Sequence, residues 1–120
     1  MNKEELADAI VEVVESLHGS VTHGTLIDRL GDVCRGDAEI VLAKANIAIM
    51  VGASEVLCDA LTLLKEQRRV NVRPIEFMCL LIDGAPIPTG MPLAKRPPAN
   101  GYKETHFAPV CLDPCDTKEL

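Results

Sequence analysis

Apolar residues at helical spacing predict a first helix from Asn2 to His18. Asn2, followed three residues later by Glu5, has the form of a capping box, and Gly19 suits the left-handed residue that ends a helix. The opposite face is acidic, and we interpret it as the solvated face of a core helix. The inward positions are Leu6, Ile10, Val13 or Val14, and Leu17.

A shorter helix is predicted next, from Thr22 or His23 to Leu30, with Gly31 closing it. The segment from Ala38 to Met50 is ambiguous. Its first part favours a helix capped by Asp37 and running through Ala45. Residues 46 to 51 are left open, because their β-branched content equally suits a buried strand. Such a strand would pair with the hairpin predicted below as the third strand of a small sheet.

The stretch from 51 to 83 shows first the helical period of apolar residues and then the alternation typical of a strand. A turn at residues 51 to 54 leads into a helix from Ser54 to Gln67, which Ser54 caps and which Leu57, Leu61 and Leu64 anchor in the core. Polar and apolar residues then alternate from Arg69 to Arg73, and the run from Phe77 to Ile82 is apolar on both faces, as in a covered strand. The pattern predicts a helix followed by a β-hairpin.

Composition separates the last part of the chain from the rest. The 120 residues suit one domain, and seven of the eight prolines lie in the last 37 residues, where they prevent regular helix. We therefore predict an α+β domain of three to four helices over residues 1 to 83, followed by an extended Pro-rich arm over residues 84 to 120. Apolar residues in the arm predict that it packs on the domain or on a partner subunit, with Phe107 to Leu112 docked as a short strand or extended segment.

Catalytic, metal and cofactor signals are weak. No glycine-rich phosphate loop, Gly-x-Ser-x-Gly or paired helical histidine occurs, so the sequence predicts no enzyme, catalytic residue or cofactor. The five cysteines suit reduced thiols, and Cys34 beside Arg35 is interpreted as incidental. His106, Cys111 and Cys115 offer three ligands where a closed zinc site needs four, so no metal is predicted. No signal sequence or apolar span is evident, and we expect a cytoplasmic protein.

Charge is distributed unevenly along the chain. Residues 1 to 64 carry net −7, residues 65 to 103 net +4 and residues 104 to 120 net −3, within a total of −6. The positive segment offers side chains to phosphates or to an acidic partner, because Lys and Arg contacts release condensed counterions from polyanions. The candidate contact residues are Lys65, Arg68, Arg69, Arg73, Lys95, Arg96 and Lys103.

One segment resembles winged helix-turn-helix regulators, whose pattern is Leu-Gly-Val-Ser, a helix and a short wing strand. The resemblance covers about a third of the chain and is carried by Val51-Gly52-Ala53-Ser54, Val56, Ala60-Leu61, Leu64, Lys65 and Arg69-Val70. It implies a winged-helix-like fold in which the helix enters the major groove of DNA, with Arg68, Arg69 and Arg73 as wing contacts. Glu55 and Asp59 depart from the family, because they place carboxylates where it often presents polar or basic groups.

Two functions follow from these patterns. The preferred one is a small interaction module or adaptor that binds another protein, or a second copy in a homodimer, through acidic helices and a basic wing and arm. The alternative is a dimeric DNA-binding transcriptional regulator that contacts phosphates through the wing. Neither a membrane nor a small-molecule substrate is expected. A small acidic chain without a catalytic motif also suits a phage or mobile-element accessory protein.

Overall fold

Helices and short strands alternate along the chain in a computed structural model that describes residues 1–95 and 98–115. This part of the chain has an α+β fold with four α-helices, one short 3₁₀ helix and two small sheets. The helices are α1 (Lys3–Ser16), α2 (His23–Leu30), the 3₁₀ helix (Asp32–Cys34), α3 (Glu55–Glu66) and α4 (Phe77–Ile82). The strands are β1 (Ala38–Leu42), β2 (Ile47–Ala53), β3 (Val70–Pro74), β4 (His106–Phe107) and β5 (Val110–Pro114).

The first three α-helices confirm the prediction, and local capping explains why. The Asn2 side chain accepts from the Glu5 backbone N–H at 2.8 Å, and the Glu5 carboxylate accepts from the Asn2 N–H at 3.0 Å, which completes the capping box. Ser54 accepts from the Leu57 N–H at 3.1 Å at the start of α3. Gly31 ends α2 with φ of +86°, a conformation that favours glycine.

The predicted helix from Ala38 to Ala45 is wrong. Residues 38 to 53 form the antiparallel pair β1–β2, in which Ile40 lies opposite Met50. Asn46 takes a left-handed φ of +55° in the connecting turn, and the β-branched residues on both sides favour pairing over local helix propensity. The open stretch from 46 to 51 is therefore largely strand, yet it pairs with β1 and β4 and not with the predicted hairpin. The turn predicted at residues 51 to 54 is wrong, because β2 continues to Ala53.

The prediction of the second hairpin strand is also wrong. Phe77–Ile82 is a helix, in keeping with its Met and Leu residues, and it ends at Asp83 before Gly84 at φ of +71°. The first strand is confirmed as β3, but its partner is β5 in the arm, with Asn71 opposite Asp113. Residues 69 to 83 therefore contain no β-hairpin of their own.

The arm folds back on the body of this chain. β5 lies between β3 and an isolated bridge residue, Val21, while β4 adds a parallel strand to β2. Asn46 fixes the intervening loop, because its side-chain amide donates to the carbonyls of Tyr102 and Lys103 and its side-chain oxygen accepts from the Thr105 hydroxyl at 2.7 Å. Phe107 lies in β4 and residues 110 to 112 lie in β5, so this part of the chain pairs with β2 and β3.

Two groups of buried side chains hold the fold together. The larger lies between α1, α2 and α3, with Leu6, Ile10, Leu26, Leu57 and Leu64 fully buried. The smaller joins β2, α4 and the arm through Ala48, Val51, Leu80, Ala85 and Phe107. Within residues 1–95 and 98–115, no helix has the length and apolar character needed to cross a bilayer.

Candidate interaction surface

Two of the predicted basic contacts are occupied by carboxylates of the same chain. Arg69 Nη1 lies 2.9 Å from Asp8 Oδ1 on α1. Arg73 Nε donates to Asp113 Oδ2 at 2.6 Å, and Arg73 Nη2 donates to the Ser20 hydroxyl at 2.8 Å. The hydrogen bonds from Arg73 and from the Ser20 N–H lower the pKa of Asp113. Arg69, just before β3, thus contacts α1, and Arg73 in β3 contacts β5. A phosphate would have to compete with these pairs.

The other candidate basic residues lie on separate parts of the structure. Lys65 and Arg68 lie exposed at the C-terminal end of α3, where Arg68 has a left-handed φ of +53°. Lys95 and Lys103 lie exposed in the arm, where the Tyr102 hydroxyl accepts from the Lys95 backbone N–H at 3.1 Å. Arg96 lies outside the described residues.

The cysteines and His106 do not form a metal-binding cluster in the described part of the chain. All five cysteines are free, and no group of three His, Cys, Asp or Glu side chains among residues 1–95 and 98–115 is placed to hold a metal ion. His106 instead stacks on Tyr102 with ring centroids 3.6 Å apart. Burial raises the pKa of Cys34 to about 11, so the neighbouring Arg35 does not generate a reactive thiolate.

His23 is buried where α2 meets the 3₁₀ helix. It is 3% exposed, and its Nε2 lies 2.7 Å from the Cys34 carbonyl oxygen. Its Nδ1 has no hydrogen-bond partner among residues 1–95 and 98–115. Burial lowers the pKa of His23 from its ordinary value of 6.5 because the charged ring would lose its water. His23 therefore packs in the core, in agreement with its position at the predicted start of α2.

We expect this histidine to make the protein less stable in mild acid. Because the pKa of His23 is lower in the folded protein, the unfolded chain takes up the proton first as the pH falls. The stability that neutral His23 contributes is therefore complete above pH 6.5 and declines as the pH falls below that value. Urea denaturation between neutral and mildly acidic pH should show this loss for the wild type and for His18→Asn, an exposed control. His23→Gln should flatten the dependence, and an equally steep loss in that variant would contradict the assignment.

Three exposed apolar side chains lie on the outer side of α4, a surface we call the α4 face. It consists of Met78, Leu81 and Ile82, which are 62%, 41% and 77% exposed. Met78 and Ile82 are four residues apart and so lie on the same side of the helix. Of the six residues in α4, Leu80 is buried and Phe77 half-buried, which fixes the helix to the smaller core with the α4 face outward.

An open groove lies beside this helix, which we call the α4 groove. It has a volume of about 630 Å³, and its apolar lining includes Ile75, Phe77, Cys79, Leu93 and Pro109. Arg73 and Glu76 are the charged residues that line it. Phe77 and Cys79 of α4 line the groove, whereas the three residues of the α4 face lie outside its lining.

Sequence reasoning missed this surface because it assigned Phe77 to Ile82 to a covered strand. A run of six apolar residues has no polar position from which an exposed side can be recognised, and strand and helix both accommodate it. The helix-forming residues Met78, Leu80 and Leu81 were the available signal for α4, but they did not indicate which side faces solvent.

Comparison of the chain with protein-family models, curated proteins and solved structures found no match.

Proposed function

We propose that this chain is a small non-enzymatic interaction module, or adaptor, that binds another protein. The observation that carries the proposal is the α4 face, on which three large apolar side chains point outward from a helix fixed to the core. Contiguous exposed apolar surface of this kind is characteristic of binding sites. Removing the exposed parts of Met78, Leu81 and Ile82 from water would contribute roughly 1 to 2 kcal/mol each.

The scaffold we propose is winged-helix-like, with an unusually long wing connection. Strand order supports this, because Val21 between α1 and α2 pairs with β5, and β5 pairs with β3, which follows α3. β5 then takes the place of the return strand of the wing, and residues 75 to 109 replace its short loop. The β1–β2 pair is an insertion between α2 and α3.

DNA binding is the second candidate, and the same strand order favours it. In winged-helix regulators α3 would enter the major groove, yet its exposed early positions here are Glu55 and Asp59. Arg69 and Arg73 are already paired with Asp8 and Asp113. These charges make protein binding the preferred function, with Lys65, Arg68, Lys95 and Lys103 as secondary contacts.

A salt-dependent binding assay separates the two candidates. We expect the purified protein to shift no DNA duplex at low salt and to elute early from heparin, because its formal net charge is −6. DNA binding would instead give a shift whose salt dependence becomes shallower when Lys65 and Arg68 are both replaced by alanine. That result would replace the protein-binding proposal.

The proposal itself is tested by charging the α4 face. Ile82→Glu should weaken capture of the partner by about tenfold or more, because a carboxylate would have to be buried in the interface. Val72→Glu is the matched control, since Val72 is 49% exposed on β3, outside the α4 face. Light scattering distinguishes a second copy from another protein as the partner. Equal capture by the two variants would contradict a contact through α4.

A further inference from the structure

Two charged residues line the α4 groove, and within the described part of the chain the acidic one has no ion-pair partner. Arg73 and Glu76 are its charged lining residues, and Arg73 is engaged by Asp113 at 2.6 Å. Glu76 is exposed and forms no ion pair with any residue in the described ranges 1–95 and 98–115. The groove therefore combines apolar walls with one uncompensated negative charge.

An exposed lysine that follows a lining residue in the sequence does not neutralise this charge. Lys95 follows Ala94, which lines the groove, but it is not itself a lining residue and forms no ion pair within the described part of the chain. Its backbone N–H is held by the Tyr102 hydroxyl. A basic side chain on a molecule that occupies the groove would give Glu76 a countercharge that residues 1–95 and 98–115 do not supply.

We propose that the α4 groove receives a segment of another protein that carries a Lys or Arg beside an apolar anchor. The apolar side chain lies against Phe77, Leu93 and Pro109, and the cation lies beside Glu76. This inference rests on the proposed function, and it specifies the partner's chemistry. A charge pair at the edge of an apolar contact selects among partners more than it adds affinity.

A second copy of this chain fits the α4 groove less well. Glu76 precedes α4 and Asp83 follows it, and an antiparallel contact between two α4 helices across a two-fold axis would bring these carboxylates together. The Asp83 carboxylate accepts from the Thr22 hydroxyl at 2.7 Å, so it has a hydrogen bond but no cation. Like charges opposite one another favour a basic partner over self-association.

Two labelled peptides test the inference directly. They are short amphipathic helices with the same leucine spacing, one with Lys and the other with Glu beside the leucines, and binding is measured by fluorescence anisotropy. The wild-type protein should bind the Lys peptide about tenfold more tightly than the Glu peptide, because one peptide gains a charge pair and the other meets repulsion. Glu76→Lys should reverse the order, and Glu76→Gln should reduce the preference.

Several results would overturn the inference. Equal affinity for both peptides, no binding of either peptide, or a preference that Glu76→Lys leaves unchanged would each do so. A dimer in light scattering that Glu76→Lys abolishes would assign the groove to a second copy and overturn it as well. The interaction-module proposal fails on a different result, namely equal partner capture by Ile82→Glu and Val72→Glu, so the two failures are distinguishable.

Discussion

Gly24→Ala is expected to destabilise the protein by about 3 kcal/mol, although alanine normally favours a helix over glycine by about 1 kcal/mol. Gly24 lies buried in the first turn of α2, against the chain that follows α4. An added Cβ would overlap the Asp83 carbonyl oxygen and lie 2.9 Å from the Ala85 backbone nitrogen. Because backbone atoms cannot rotate away, α2 and the turn after α4 would have to separate.

Gly84→Ala is the matched control for this prediction. Gly84 lies in the same turn at φ of +71°, and a Cβ there would meet no atom within 4 Å. Its replacement should therefore cost only the backbone strain, about 1 kcal/mol. Urea denaturation of both variants measures the difference. A Gly24→Ala variant as stable as the wild type would contradict the close packing between α2 and the turn after α4, which sets the position of α4.

Phe107→Ala should destabilise the protein by about 4 kcal/mol, the cost of a large cavity in a core. Phe107 is 1% exposed and packs edge-to-face on Phe77, with ring centroids 6.4 Å apart. Its backbone also joins two parts of the arm, since its N–H donates to the Pro92 carbonyl and its carbonyl accepts from the Ala94 N–H, both at 2.8 Å. The effect would show that the arm contributes to the core.

Ile87→Ala provides the comparison within the same arm. Ile87 is 40% exposed, so its truncation should change the free energy of unfolding by about 1 kcal/mol or less. Thermal denaturation and urea titration of both variants give the comparison. Equal, small effects would indicate that the arm is not part of the folded core and would remove the support for α4 on that side.

The sequence predicts α1, α2 and α3 well because their signals are local. Asn2, Thr22 and Ser54 each cap a helix within three residues of their own position, and the apolar stripes that follow have the helical period. The strand β3 is likewise visible from its alternation of polar and apolar residues. These elements depend little on the rest of the chain.

The errors fall where distant residues decide the structure. The partner of β3 is β5, and the register that places Asn71 opposite Asp113 joins positions far apart in the sequence. β1 contains helix-compatible residues such as Ala38, yet its pairing with β2 overrides their local preference. Phe77 to Ile82 has no periodicity to separate helix from strand, so the exposed surface of α4 was not predictable.

The candidate contact residues also differ in whether the sequence alone or the tertiary fold determines their role. The positive segment from 65 to 103 was evident from the sequence, but the pairing of Arg69 with Asp8 and of Arg73 with Asp113 depends on the tertiary fold. Arg69 immediately precedes β3 and Arg73 lies within it, so the two pairs join this segment to α1 and β5. The outward position of Ile82 likewise follows from the burial of Leu80 on the other side of α4.

The most direct test of a contact through the α4 face is photo-crosslinking from that face. A photoreactive benzophenone amino acid in place of Ile82 should yield a discrete protein adduct under native conditions, and the same group in place of Val72 should yield none. Mass spectrometry then identifies the attached chain and the site of attachment. Adducts from Val72 alone, or the same adducts from both positions, would contradict the assignment of α4 as the contact surface.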